Sequence, residues 1–259
     1  MKTIGIDLGS RGIKAVLLDG GRVAARASES GAADMAEAAR RLVDRLLTET
    51  GTRRDEVRHV TATGMGREAV AFADSRVTDI TAAARAAAHL FPGRTAVVEV
   101  GAEESRAILT DGRGRVLDSA VNEKCAAGTG SFIESMARAL GMTLEAFGRE
   151  GLSSASEIRM NAQCTVFAES EVVSLIHQNV DRRDIAHAVN DAIASRVAAM
   201  ARRARLEGAP VCLGGMARNP DFLRCLAAHL GAPSVEVPED PEFAGALGAA
   251  LVAAERSAP

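Results

Sequence analysis

The stretch TIGIDLGSRGIKAVLLDGG, Thr3 to Gly21, aligns without a gap on TAVVEVGAEESRAILTDGR, Thr95 to Arg113. Asp7 falls on Glu99, Gly9 on Gly101, Lys14 on Arg106, Asp19 on Asp111 and Gly20 on Gly112. The apolar residues Ile6, Ala15, Val16 and Leu17 fall on Val98, Ala107, Ile108 and Leu109. Each copy reads as a strand, a tight acidic-glycine turn, a second strand, an Asp-Gly turn and a third strand (Val23 to Ala27; Val116 to Val121). A β-meander that opens both halves of one chain predicts duplication into two similar α/β lobes, 1–93 and 94–259, with mixed sheets and a cleft between them. The last helix is free to pack back on the first lobe.

Helical material follows each meander. Met35, Ala38, Leu42, Val43, Leu46 and Leu47 fall on one face of a helix over Asp34–Glu49, stopped by Gly51. Val57–Thr63 reads as a strand running into a Gly-Met-Gly turn, and Ile80–Phe91 as a helix halted by Pro92-Gly93. The second half gives helices from Thr129 to Leu140, Thr165 to about Gln178, Asp184 to Leu206, Pro220 to Leu230 and Phe243 to Ala254. Strands are expected at Val211–Leu213 and Ser234–Val237.

The composition excludes several functions. The 259 residues are 47% hydrophobic and 25% charged with a net charge of −3, so no strong field invites nucleic acid or anionic lipid. There is no Trp or Tyr for base stacking. No apolar run approaches the roughly 20 residues of a membrane helix, and no signal-peptide core follows Met1. The expectation is a cytoplasmic protein without a nucleic-acid or membrane partner. The abundance of Ala and Arg reads as base composition. Cys125, Cys164, Cys212 and Cys225 form no C-x-x-C pair, and the histidines show no metal spacing.

Three motifs point to a nucleotide. In IDLGSRGIK, Ile6 to Lys14, the Asp7 carboxylate suits Mg²⁺, the Gly9-Ser10-Arg11 turn offers backbone N–H groups to phosphate, and Lys14 returns an ammonium on the next strand. The second copy supplies Glu99, Gly101, Ala102 and Glu103. In VCLGGMARNP, Gly214 and Gly215 let backbone approach a planar ligand and Asn219 opens a helix, as an adenosine pocket requires. In this order the three resemble the actin, hexokinase and Hsp70-like ATPase superfamily, over nearly the whole chain.

Two further motifs carry cysteines, NEKCAAGTGSF (Asn122 to Phe132) and NAQCTVFAESE (Asn161 to Glu171). Each places a cysteine, Cys125 or Cys164, at the start of a predicted helix, where a thiolate is favoured. The plain alternative is a small buried residue beside a cap, and Cys212 and Cys225 read that way. An iron–sulfur cluster takes four thiolates, and a two-fold dimer of this chain supplies two plus two.

KCAAGTGSF and CTVFAESEV are strongly similar to the ATP-dependent activators of 2-hydroxyacyl-CoA dehydratases. That family, also called archerases or CoA-enzyme activases, includes the ATPase subunits of benzoyl-CoA reductase. The resemblance implies a homodimer of actin-like ATPase subunits with one bridging [4Fe–4S] cluster on Cys125 and Cys164 of each copy. It implies Mg²⁺ with ATP or ADP on Asp7, Gly9, Ser10, Arg11, Lys14, Glu99, Gly101, Ala102, Glu103, Gly128, Thr129, Gly130, Gly214, Gly215 and Asn219. Reduced ferredoxin or flavodoxin would supply one electron, passed on to a partner acyl-CoA dehydratase or reductase.

The second turn departs from the family pattern Asp-Ile-Gly-Gly-Gln-Asp-Ser-Lys. Glu99 lengthens the acidic arm, Ala102 removes a glycine, and Glu103 puts a carboxylate where a Gln would orient water. Leu213 stands where Thr is common. The expectation is that nucleotide binding survives while hydrolysis is slow, altered or lost. Two competing readings are a sugar or acyl kinase using Asp7 and Asp79, which leaves Cys125 and Cys164 unexplained, and a cluster-bearing sensory module that does not turn over ATP.

Overall fold

The computed structural model describes residues 1–31, 34–122, 129–154, 156, 158, 160 and 165–257. Cys125, Gly128 and Cys164 lie outside the described residues. The chain divides into two compact units, one of Met1–Arg94, Thr110–Val116 and Glu242–Pro259, the other of Thr95–Leu109 and Leu117–Pro241.

In the first unit, strands β1 (Lys2–Gly9), β2 (Gly12–Asp19), β3 (Arg22–Ser30), β4 (Val57–Thr63) and β5 (Ser75–Arg76) form one sheet ordered β3-β2-β1-β4-β5. The meander is antiparallel, and β4 joins the free edge of β1 in parallel. Helix α1 (Met35–Glu49) is capped by Asp34, whose carboxylate accepts from the Glu37 N–H, and buries the apolar stripe read from the sequence.

Helix α8 (Ala244–Arg256) covers this sheet, and α2 (Asp79–Leu90) packs on α8. A Cβ at Gly5 on β1 would stand 2.0 Å from the Ala246 carbonyl oxygen, and one at Gly248 would stand 1.8 Å from that of Ala82. Backbone therefore packs directly on backbone at both seams. Most of the alanines of α2 and α8 are buried, so part of the Ala abundance that reads as base composition is packing material.

In the second unit, β6 (Ala96–Val100), β7 (Ser105–Thr110), β8 (Val116–Asn122) and β9 (Val211–Leu213) are ordered β8-β7-β6-β9. This repeats the order of β3-β2-β1-β4 in the first sheet, without a counterpart strand to β5, and β9 is parallel to β6 as β4 is to β1. The helices are α3 (Gly130–Ala139), α4 (Leu144–Gly151), α5 (Thr165–His177), α6 (Arg182–Arg203) and α7 (Pro220–Leu230). Their apolar faces meet around Phe132, Met136, Phe147, Ile193, Val197 and Phe222.

The structure adds the short strand β5 to the sequence reading and differs from it at Ser234–Val237 and in α4. Ser234–Val237 makes only a bridge from Glu236 to Val211, because Pro233 and Pro238 on either side lack the donors a ladder needs. Helix α4 was not anticipated, since Gly148 and Gly151 lower its propensity. Both glycines are needed for close packing on the start of α7. A Cβ at Gly148 would stand 2.9 Å from Asn219 Oδ1, and one at Gly151 would stand 2.5 Å from Asp221 Oδ2.

Candidate functional site

In the first unit, Gly9 and Gly12 pair across a two-residue turn of Ser10 and Arg11, both exposed. A Cβ at Gly12 would meet the Glu29 carbonyl oxygen at 2.6 Å, so the turn has glycine because β3 passes behind it. Asp7 and Lys14 are direct cross-strand partners, which puts carboxylate and ammonium on one face of the sheet. Helix α8 runs down that face. The Thr3 hydroxyl donates to the Ala250 carbonyl at 3.1 Å, and at the other end a Cβ on Gly245 would stand 2.7 Å from Asp7 Oδ2. The N-terminus of α8, the end of a helix that favours negative charge, therefore lies against Asp7.

Asp7 and Thr63 are register partners at the ends of parallel strands β1 and β4, and α2 begins just after β5, whose Arg76 pairs with Ala62. Carboxyl ends of parallel strands beside helix N-termini are where open α/β sheets bind ligands. The Gly-Met-Gly turn after β4 was read from the sequence without a functional role. There the Gly66 N–H donates to the Leu8 carbonyl at 3.1 Å, and the Arg67 guanidinium donates to the Gly64 carbonyl at 3.1 Å and comes within 3.9 Å of Asp79.

The second unit repeats the acid-base pair as Glu99 opposite Arg106. Here the two form an ion pair of 2.7 Å, with side chains 12% and 11% exposed. The same guanidinium also bonds Glu104. Glu104 sits two residues before Arg106 and so shares its face of the strand, a signal that alternation carried. Glu103 is exposed. The turn closes by a 2.9 Å bond from the Gly101 N–H to the Glu104 carbonyl.

Helix α3 starts on this turn. The N–H groups of Gly130 and Ser131 donate to the carbonyls of Gly101 and Ala102, both at 2.8 Å. Two motifs distant in the sequence, the second turn and the end of KCAAGTGSF, are thereby joined. Thr129 is buried at the N-cap position.

Gly214, with φ at +86°, lies flat on Val100; a Cβ there would stand 2.4 Å from the Val100 carbonyl oxygen, and its N–H donates to the Pro241 carbonyl. Gly215 faces open space. Asn219 is 7% exposed, caps α7 by accepting from the Phe222 N–H at 3.0 Å, and donates to Asn190 at 2.9 Å. Its side chain works inside the unit.

Cys212 and Cys225 are buried thiols. Burial, reinforced by the nearby charges of Glu99 and Asp221 respectively, pushes each up to about 12. Among the described residues, His187, Asp221 and Cys225 form one group whose potential ligand atoms lie within 4.8 Å of one another. Helices α6 and α7 bring them together although their sequence spacing gives no metal signature. Asp221 is fully buried, accepts from Asn190 Nδ2 at 2.9 Å and from Arg224 at 2.7 Å, and faces His187 Nδ1 at 3.0 Å. Its charge is thus balanced by Arg224 within the protein.

With this geometry in place, the matching family model, "BadF/BadG/BcrA/BcrD ATPase family", aligns with residues 4–253. The chain belongs to that ATPase family. It is 35% identical over 257 residues to the activator of lactoyl-CoA dehydratase of Anaerotignum propionicum, covering 98% of each chain. It is 33% identical to the 2-hydroxyisocaproyl-CoA dehydratase activator of Clostridioides difficile, covering 98% of this chain and 95% of that one. A solved structure of the activator of the 2-hydroxyisocaproyl-CoA dehydratase from Clostridium difficile, with bound ADPNP, superposes with a TM-score of 0.92 at 32% identity, over 99% of this chain and 96% of that one. A ROK hexokinase from Thermus thermophilus shares the fold alone, with a TM-score of 0.55 at 18% identity over 99% of each chain. The actin/hexokinase-like fold expected from the order of the family's motifs is thereby borne out. Among the described residues no helix is long and apolar enough to cross a membrane.

Proposed function

We propose that this chain is an ATP-driven activator that passes one electron to a partner 2-hydroxyacyl-CoA dehydratase or a benzoyl-CoA reductase-type enzyme. In this reading it works as a homodimer, with Cys125 and Cys164 of each copy holding a [4Fe–4S] cluster that stores the electron, and with reduced ferredoxin or flavodoxin as source. The relatives' names support the partner class, and the two cysteine motifs support the cluster.

The observation that carries the reading is the bonding of α3 to the second phosphate turn. Gly101 and Ala102 hold the first two N–H groups of the helix that follows Cys125 in the sequence. A change in that turn on ATP binding or hydrolysis is delivered directly to α3, as a nucleotide-driven electron donor requires. On the other unit, Asp7, Lys14, the Ser10-Arg11 turn and the N-terminus of α8 form a seat for phosphate and its Mg²⁺. Exposed Glu103 adds negative charge to the second turn, and slow hydrolysis is expected from it.

The test is iron and acid-labile sulfide per dimer in anaerobically purified protein, beside Cys125→Ser and Cys164→Ser, together with ATP turnover. About four irons per dimer, lost in both variants, support the shared cluster. Iron-free protein of normal fold removes the cluster and the electron-transfer role. Background ATP turnover in cluster-loaded protein refutes the ATP-driven step.

A further inference from the structure

The first unit contains a polar atom that its own fold does not use. Thr63 ends β4, is fully buried, and its Oγ1 has no hydrogen-bond partner among the described residues. Burying a hydroxyl without a partner is unfavourable compared with a methyl group of the same shape, so its presence calls for a partner from outside the fold.

The duplication provides an internal control. Thr63 pairs with Asp7 in parallel register, and Leu213 pairs with Glu99 in the same way. The glycine that follows each is also equivalent. Gly64 has φ +91° and a Cβ there would stand 2.4 Å from the Leu8 carbonyl oxygen; Gly214 has φ +86° and the same 2.4 Å approach to that of Val100. The backbone at this corner is therefore built once with a buried Leu and once with a buried Thr. The architecture accepts an apolar side chain, so the hydroxyl is not there to make the turn.

Parallel register puts the side chains of Thr63 and Asp7 on one face, the face on which α8 begins at Gly245. The turn that follows is braced to Leu8 by Gly66, and internally by Arg67, so the strand end is held in place before any ligand arrives. Mg²⁺ usually keeps several waters and takes only one or two protein carboxylates. A hydroxyl beside a carboxylate suits that demand, because it can either donate to a metal-bound water or accept from one.

We propose that the Thr63 hydroxyl and the Asp7 carboxylate together seat the hydrated Mg²⁺ of the nucleotide, with Thr63 orienting one of its waters. This rests on the nucleotide reading above and adds a binding residue to it.

The experiment compares Thr63→Val and Thr63→Ser with the full wild-type chain, purified anaerobically. The melting temperature without nucleotide is measured first, then ATP binding with Mg²⁺ titrated and with Mg²⁺ chelated. Thr63→Val is expected to melt at or above the wild type, because the unpartnered hydroxyl is gone, yet to need about tenfold more Mg²⁺ for half-maximal ATP binding. Thr63→Ser is expected to stay within about twofold of the wild type, and binding without Mg²⁺ is expected to be equal in all three. A valine variant with wild-type Mg²⁺ dependence, or one that weakens binding equally without Mg²⁺, overturns the proposal while leaving the nucleotide reading intact. A wild-type chain that binds no ATP refutes the nucleotide reading and the seat with it.

Discussion

Replacing Gly5 by alanine tests the seam on which the first unit is built. The added Cβ would stand 2.0 Å from the Ala246 carbonyl oxygen and 2.3 Å from the Ala250 N–H nitrogen. Ordinary contact between such atoms is about 3.5 Å, so α8 must withdraw by roughly 1.5 Å. A gap of that size forfeits much of the dispersion energy along the face carrying Ala246, Ala249, Ala250 and Ala253, all fully or nearly fully buried. Overpacking of this kind costs about 1–3 kcal/mol, and because the obstacle is backbone with no rotamer to yield, about 3 kcal/mol is expected. In a chain of this size that is a fall of about 6–12 °C in the melting temperature. The assay is thermal and denaturant unfolding of Gly5→Ala beside Gly215→Ala, where a Cβ meets nothing within 4 Å and a change below about 0.5 kcal/mol is expected. If the two variants melt within about 2 °C of each other, α8 does not sit on β1 as described.

Two further outcomes follow from the second unit. Arg106→Met leaves Glu99 and Glu104 facing each other in a half-buried site without their shared cation, and should destabilise by about 3 kcal/mol in urea unfolding; a loss below about 1 kcal/mol would show that the pairing is not formed in solution. The raised thiols of Cys212 and Cys225 set an alkaline limit. The folded state keeps these protons while the unfolded chain begins to lose them near the ordinary thiol value, so their contribution is intact below about 9 and disappears as pH rises towards about 12. The urea midpoint should therefore fall over that window, and fall less steeply in Cys212→Ala/Cys225→Ala; equal slopes would refute the assignment.

Much of the fold was legible because it rests on periodicity and on the gapless repeat. β4, β9 and α7 lie where spacing put them, and the register opposite Asp7 and Glu99 follows from the aligned copies. The second half of the duplication was not legible. The correspondence of Thr63-Gly64 with Leu213-Gly214 lies in backbone conformation and in the approach to Leu8 or Val100, and side chains carry little of it. Helix α4 was hidden because its glycines answer to α7 rather than to their own helix. In the site, Asp7 and Lys14 share a face as alternation predicts, and the bond of Glu104 to Arg106 is one that the sequence reading passed over. Asn219, read as a ligand contact from its place after the double glycine, has both ends of its amide engaged by Phe222 and Asn190. Propensity and spacing say nothing of such pairings, which form only when α6 and α7 meet.

The group around Asp221 has a consequence for how this sequence can change over time. Asn190, Asn219, Arg224 and His187 satisfy one another and a fully buried carboxylate, and Gly151 must lack a side chain for that carboxylate to fit. A partly satisfied buried network is worse than none. Single exchanges here pass through an unstable intermediate, so the cluster is expected to be inherited or replaced as a block. A descendant without Asp221 should also have lost Arg224, and would be free to place a side chain at Gly151.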